Sequence, residues 1–180
     1  MAAVLGLAML TVVSACDNAT AGQPKPTKDA STSKTEESTS ETQEQKYSIA
    51  ELCKLISPEE AQRLGGSAEG EMGTALSNGV PVCTWKDKTG LTVGFQEGTT
   101  TAQADTGPNI TNTPTKVDGL TAVLSKTTES IVICEMLVDL PSGKMFAASV
   151  SVRSAGEGQY EPCQVVTELA NLIIPRVKDQ

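Results

Sequence analysis

Five cysteines constrain the fold of this chain more than any other feature of its sequence. One stands near the N-terminus and four are spread over the remainder: Cys16, then Cys53, Cys83, Cys134 and Cys163. An even set of cysteines in an exported domain usually forms disulfides, and four cysteines can pair in three ways. We favour Cys53 with Cys83 and Cys134 with Cys163, because each bridge would join the edge of a predicted helix to a nearby strand. A metal held by four thiolates is the alternative, although the chain has no Cys-x-x-Cys pair.

The N-terminal segment indicates that the chain is exported. Ala2 to Val13 is a nearly continuous apolar run without charge, and Ser14, Ala15 and Cys16 follow it. The run is shorter than the roughly 20 residues of a membrane-spanning helix, and small residues behind such a run are typical of a signal-peptide cleavage site. We therefore predict that residues 1–15 are a signal peptide. An ordinary secretory signal beside an unrelated cysteine is the alternative.

The position of Cys16 directly after the small residues resembles the bacterial lipobox. This resemblance implies that a diacylglyceryl group is attached to Cys16 and that the chain is cut just before it. Two acyl chains give a stable membrane anchor, whereas one chain binds only marginally. We expect the mature protein at the extracytoplasmic face of the cell membrane. Because no Lys or Arg precedes the apolar run, we also expect the natural chain to start upstream of Met1.

A polar segment follows Cys16. Residues 17–46 contain no Val, Ile, Leu, Met, Phe, Trp, Tyr or Cys and are rich in Thr, Ser and Glu. Such a segment cannot bury enough apolar surface to offset its chain entropy. We predict that residues 16–46 form a disordered stalk, similar in composition to O-glycosylated stalks, and that residues 47–180 form one globular domain.

Charge and composition exclude several classes of function. The chain has 14 Lys and Arg against 22 Asp and Glu, a net charge of -8, which argues against nucleic acid as a partner. It has no histidine, which excludes histidine-based catalytic triads and ordinary zinc sites. We expect no cofactor and no metal.

Two helices are predicted at the ends of the domain. Ser57 is placed to cap the first helix, with Pro58 in its first turn and Glu60 completing a capping box, before the Gly65-Gly66 pair ends it. Apolar residues at helical spacing from 163 to 173 predict the second helix, which Pro175 should end.

The chain between these helices has the alternation of β-strands. Strand-like runs lie at residues 80–85, 91–95, 120–124, 130–138 and 145–152. The run at 130–138 is apolar on both faces, so it should lie in the middle of a sheet. The sequence therefore predicts an α+β fold: an antiparallel sheet of about five to six strands, flanked by an N-terminal and a C-terminal helix and stapled by disulfides.

Two features stand out as candidates for binding. Residues 98–119 form a Thr-rich stretch with Ile110 and Val117 as its only large apolar residues, which predicts a long loop, either functional or disordered. We hypothesise that this loop and the adjacent sheet face form a pocket or a partner surface, with Ile110 in contact with the ligand. Trp85 next to Cys83 is interpreted as core, with ligand stacking as the alternative.

The cysteines and their neighbours form one spaced pattern: Cys53-x-Leu55-Ile56-Ser57-x-Glu59-Glu60, Cys83-Thr84-Trp85, Cys134 in a strand, and Cys163 opening a helix that ends at Pro175. This pattern resembles a large family of actinobacterial lipoproteins that carry one cysteine-containing domain of unknown function. The resemblance covers most of residues 52–175. It implies a cell-envelope lipoprotein with two disulfides and implies no established activity.

We interpret the chain as a non-catalytic binding or accessory module of the cell envelope, with an envelope protein or a lipid as its ligand. A hydrolase of envelope glycan or lipid is the first alternative. It is disfavoured because the chain has no Gly-x-Ser-x-Gly elbow and no histidine to act as the base for a nucleophile. A structural subunit of an envelope complex is the second alternative.

Overall fold

A computed structural model describes residues 49–75 and 79–179. The predictions for the signal peptide, for lipid on Cys16 and for the stalk up to residue 46 lie outside the described residues. The helices and strands are α1 (Ile49–Leu52), α2 (Pro58–Arg63), β1 (Glu71–Thr74), β2 (Pro81–Lys86), β3 (Thr89–Glu97), β4 (Ile110–Val117), β5 (Leu120–Thr128), β6 (Val132–Asp139), β7 (Lys144–Val152) and α3 (Pro162–Val177). Short 3-10 turns lie at Thr101–Gln103 and Ser154–Gly156.

All seven strands form one antiparallel sheet in the order β1-β2-β3-β7-β6-β5-β4. Long α3 packs on β6 and β7, and its buried face contributes Val166, Leu169 and Ile173 to the core. The strands contribute Trp85 and Phe146, the largest of the fully buried side chains. The predicted α+β architecture on an antiparallel sheet is confirmed.

The N-terminal helix α2 begins as its sequence predicts. The backbone N–H of Glu60 donates to Ser57 Oγ at 3.2 Å, and the Ser57 N–H donates to Glu60 Oε2 at 2.8 Å, so the capping box is complete. Gly65 follows the helix with φ of 83°, a conformation that glycine adopts without strain.

Helix α3 continues through Pro175 to Val177, so the prediction that it ends before the proline is wrong. A proline removes one backbone donor and disfavours the helical conformation of the residue before it. Ile174 and Val177 are nevertheless only 0% and 1% exposed. Packing of this last turn against the core offsets the cost of the proline.

The last turn of α3 is also tied to α2. Arg176 donates to Glu60 Oε2 at 2.9 Å and to Glu60 Oε1 at 2.5 Å, and it donates to the carbonyl of Leu55 at 2.5 Å. Hydrogen bonds from Arg176 hold the pKa of Glu60 at about 2. A forked guanidinium–carboxylate contact fixes orientation as well as distance, so Glu60 serves both its own helix and the packing of α3.

Two disulfides join helical segments to the sheet: Cys53–Cys83 and Cys134–Cys163. These are the pairs that the sequence favours. The first connects the end of α1 to β2, and the second connects β6 to the first turn of α3. Both helical ends of the domain are therefore covalently fixed to strands.

The sheet has seven strands, so the predicted count of five to six is too low. The prediction of a structureless loop over residues 98–119 is wrong, because β4 occupies its second half and pairs with β5. The connection is a two-residue turn in which Asp118 has φ of 50° and Gly119 has φ of 84°. Both strands missed from the sequence, β1 and β4, lie at the edges of the sheet.

The strand predicted for the middle of the sheet, β6, does lie between β7 and β5. Its first residues depart from the expected burial, since Val132 and Ile133 are 38% and 37% exposed. Ile131, just before the strand, is 57% exposed. The apolar surface at this end of β6 is therefore open to solvent.

Candidate functional site

The candidate site lies on the distal face, defined here as the face of the sheet turned away from α3. Side chains alternate between the two faces of a strand. Because Cys83, Leu91 and Val93 belong to the core, their neighbours along β2 and β3 belong to the distal face. The register of the strands places one distal residue from each of the seven strands in a single line across the sheet: Glu71, Thr84, Thr92, Ser149, Glu135, Ser125 and Asn112. We call this line the polar row.

Small residues form the surface at the centre of the distal face. β3 presents Gly90, Thr92 and Gly94 there, and the paired strand β7 presents Ala147, Ser149 and Ser151. They leave a cavity of about 110 Å3, the distal groove, whose lining includes Val82, Thr92, Gly94, Glu135, Ala147 and Ser149. Ligand pockets for whole small molecules measure about 300–1,000 Å3, so the distal groove is sized for one chemical group.

Glycine at position 94 keeps the distal groove open. A Cβ atom at Gly94 would approach the carbonyl oxygen of Pro81 and Cγ1 of Val82 to 3.0 Å each. The first of these contacts is to backbone of the neighbouring strand, which cannot move aside as a flexible side chain can. A larger residue at position 94 would therefore crowd β2 and occupy the groove.

The connection between β3 and β4 is attached to one end of the distal face. The backbone N–H and hydroxyl of Thr101 donate to Asp139 Oδ1 and Oδ2 at 2.8 Å and 2.7 Å. Asn112 Nδ2 donates to the carbonyl of Asp105 at 2.9 Å. The structure thus brings together the sheet face and the first half of the predicted loop.

Glu135 is the charged centre of the polar row. It stands between Ser125 and Ser149 on the neighbouring strands, and it is exposed to solvent. The surrounding protein still displaces enough water to raise the pKa of its carboxyl, and the negative charge of Asp105 raises that pKa further. No Lys or Arg of the described residues forms an ion pair with Glu135.

Asn112 adds an acceptor at the end of the polar row. Its Oδ1 is buried and is the one side-chain oxygen or nitrogen of the described residues that is both buried and without a hydrogen-bond partner. A buried acceptor without a donor carries a desolvation cost of about 1–3 kcal/mol. The acceptors at this end of the distal face that a ligand could use are the carboxylates of Glu135 and Asp105, which suit a ligand that donates hydrogen bonds or carries positive charge.

The two residues that the sequence suggested for binding lie elsewhere. Trp85 is 1% exposed and belongs to the core face. It packs beside the first disulfide, since a Cβ atom at Gly70 would meet Cys83 Sγ at 2.5 Å and the Trp85 ring at 2.8 Å. Ile110 begins β4, half-buried and outside the lining of the distal groove. Neither side chain forms part of the groove.

Glu135 was not among the residues singled out from the sequence, although a signal was present. It is the only charged residue in the apolar run from Ser130 to Val138. A charged side chain in a central strand is expected either to reach solvent or to belong to a functional site. Its neighbours in the polar row come from other strands, and their proximity depends on register that the sequence does not state.

Within residues 49–75 and 79–179, no group of three or more Cys, Asp or Glu side chains is arranged to hold a metal ion. No helix in the same ranges combines the length and apolar character needed to span a bilayer.

Comparison with known proteins gives one match. The DUF3558 family, described as proteins of unknown function, matches residues 11–176. No curated protein matches the chain, and no solved structure matches it. Because the family match spans nearly the whole chain, from the end of the apolar run to the last turn of α3, the protein belongs to the DUF3558 family.

Proposed function

We propose that this protein is a lipid-anchored binding module at the extracytoplasmic face of the cell membrane, and that its distal groove holds a lysine or arginine side chain of a partner protein in the envelope. The observation that carries the binding proposal is Glu135. It is a carboxylate in the wall of a small groove, repelled by Asp105 and without an ion pair among the described residues. A cation of the partner would supply the missing charge.

The anchor is supported by the sequence before the domain. Cys16 follows an apolar run that ends in small residues, and a polar segment separates it from the first described helix. Cys16 is also the odd cysteine of five, since the other four are joined in two bridges. The matched family segment begins at residue 11 and includes Cys16 together with the domain.

A protein partner is favoured by the size and surroundings of the groove. A cavity of about 110 Å3 accommodates one extended side chain more readily than a sugar unit or an acyl chain. The neighbouring end of β6 exposes Ile131 and Ile133 at 57% and 37%. An exposed apolar margin beside a charged recognition group is typical of a protein–protein contact.

A hydrolase remains the alternative function, and one observation favours it. Glu135 has a raised pKa and lies near the second carboxylate of Asp105, as an acid/base pair would require. Binding is the better-supported function because the distal groove, as the described residues line it, measures about 110 Å3 and is too small for a glycan chain.

The proposal predicts that the distal groove selects a cationic group over a neutral group of equal size. The full-length chain in detergent micelles would be titrated with n-butylammonium, n-butylguanidinium and the neutral n-butanol, and backbone amide shifts would be followed by NMR. The two cations should shift the amides of Thr92 and Ala147, whereas butanol should not. Glu135→Gln should weaken cation binding by about tenfold, the size of one charge-assisted contact.

Two variants separate the groove from the rest of the distal face. Ala147→Leu should fill the groove and abolish the shifts. Ser151→Leu adds the same side chain on the same strand and face but outside the groove lining, and it should bind as the wild type does. Equal binding of butanol and butylammonium, or unchanged binding by Ala147→Leu, would refute the proposed site.

A further inference from the structure

A second and larger cavity lies on another part of the domain. It measures about 450 Å3, is open to solvent, and is lined by residues of α2 and of the connection between α2 and β1, by the β2–β3 turn and by Tyr160. We call it the turn cleft. Its volume falls within the range of about 300–1,000 Å3 that is usual for small-molecule sites. None of its lining residues belongs to the distal groove.

The walls of the turn cleft are fixed by the fold. A Cβ atom at Gly66 would meet the side chains of Leu91 and Trp85 at 2.9 Å, so this wall lies directly on the core. The Lys86 N–H donates to Ser67 Oγ at 3.0 Å and thereby joins two sides of the cleft. The cavity is therefore formed before any ligand arrives.

The β2–β3 turn is also fixed by contacts with the segment that follows β7. The Arg153 N–H donates to the Lys88 carbonyl at 2.9 Å. Gly156 packs so closely that a Cβ atom there would lie 2.5 Å from the same carbonyl. The backbone of Lys88 is therefore fixed by the fold, so a ligand would not have to order this turn on binding.

The lining of the turn cleft contains two lysines in a chain whose net charge is -8. Lys86 and Lys88 flank it, with Asp87 as the single carboxylate of the lining. The ammonium group of Lys86 is 3.8 Å from Glu71 Oε2, at the limit of an ion pair. Lys88 makes no ion pair within the described part of the chain.

Neutral hydrogen-bonding groups complete the lining. Gln62 and Tyr160 belong to the lining, and neither the Gln62 amide nor the Tyr160 phenol is engaged in a hydrogen bond with another described residue. Such groups bind hydroxyls, whereas two ammonium groups bind an anion. The cleft thus combines the two recognition elements that an acidic sugar or a glycerol phosphate requires.

We propose that the turn cleft binds a small anionic ligand in which a phosphate or carboxylate is carried on a polyhydroxylated body. Lys88 and Lys86 contact the anionic group, and Tyr160 and Gln62 contact the hydroxyls. Asp87 opposes the ligand charge and lowers the affinity. This site is independent of the distal groove, and either can exist without the other.

Calorimetric titration of the full-length chain in detergent micelles tests this assignment. The probes would be glucose phosphate, glucuronate, inorganic phosphate and neutral glucose. Glucose phosphate or glucuronate should bind more tightly than inorganic phosphate, and glucose should not bind. The tighter of the first two identifies phosphate or carboxylate as the natural anion. Lys88→Gln should weaken binding by about tenfold, and Asp87→Asn should strengthen it by about threefold.

Lys116→Gln is the matched control, because it removes the same charge from an exposed position on β4. It should bind the probes as the wild type does, and thermal melts should show that all three variants are folded. The assignment is overturned if no anionic probe binds, if Lys88→Gln binds as tightly as Lys116→Gln, or if Asp87→Asn weakens binding. Butylammonium binding in the distal groove should be unchanged by Lys88→Gln, so the two sites are tested separately.

Discussion

In the proposed binding site, Glu135 would serve binding at the expense of stability. Its carboxyl has a raised pKa in the folded protein because partial desolvation by the surrounding protein and the negative charge of Asp105 both disfavour the ionised form. The folded state therefore binds a proton more readily than the unfolded state, whose carboxyl has the ordinary pKa of 4.5. It follows that stability decreases as pH rises from 4.5 through the raised pKa, and that the ionised carboxylate is unfavourable at neutral pH.

Replacing this carboxylate by its neutral amide should therefore stabilise the domain. We expect Glu135→Gln to raise the free energy of unfolding at neutral pH by about 0.5 kcal/mol, a small effect because the side chain retains contact with water. The gain should disappear below pH 4.5, where Glu135 is protonated in both states. Thermal or denaturant melts over a pH series measure it, with Glu129→Gln as the control for loss of one negative charge. Destabilisation of Glu135→Gln at neutral pH would contradict this account.

The two edge strands, β1 and β4, are the elements that were not predicted from the sequence. The helix at Ser57, the β2–β3 hairpin and the periodicity of α3 are local patterns, and each was predicted from the sequence. All four residues of β1 are exposed, and β4 is largely exposed too. A strand that is exposed on both faces has no apolar alternation, so periodicity cannot reveal it. The available signal for β4 was Asp118-Gly119, a pair that favours a two-residue hairpin turn.

That turn predicts a measurable cost of substitution. Gly119 has φ of 84°, and a Cβ atom there would meet nothing within 4 Å, so Gly119→Ala introduces backbone strain without a clash. We expect a loss of about 1 kcal/mol in the free energy of unfolding, with faster amide exchange in β4. Gly107→Ala is the control, since its Cβ atom would make only an ordinary 3.7 Å contact with Ile110. Equal stability of the two variants would show that the turn does not determine the pairing of β4.

At the scale of the whole molecule, features formed by segments close in sequence could be predicted, whereas features that depend on how distant strands and turns come together could not. The cysteine pairs could be favoured because each bridge joins segments close in sequence, 30 and 29 residues apart. The polar row draws one residue from each of seven strands. The turn cleft likewise brings Gln62, Lys88 and Tyr160 together across the chain. Neither site has a local motif, so both became visible only with the fold.

The proposed membrane anchor rests on Cys16, and this gives the last prediction. If two acyl chains on Cys16 form the anchor, the N-terminal peptide of the membrane-bound protein should begin at Cys16 and carry a diacylglyceryl mass. Cys16→Ser should lose that mass and either leave the membrane fraction or retain its uncleaved leader. Ser14→Ala is the control, because it keeps a small residue before the cleavage site and should be lipidated as the wild type is.

The same variant separates the anchor from the fold. Because the domain's four cysteines pair among themselves, Cys16→Ser should keep both disulfides and melt at the wild-type temperature. It should also bind butylammonium as the wild type does, since every described residue that lines the distal groove belongs to the domain. An unmodified Cys16 thiol on protein taken from the membrane would disprove the anchor and leave the two proposed binding sites to be judged on their own titrations.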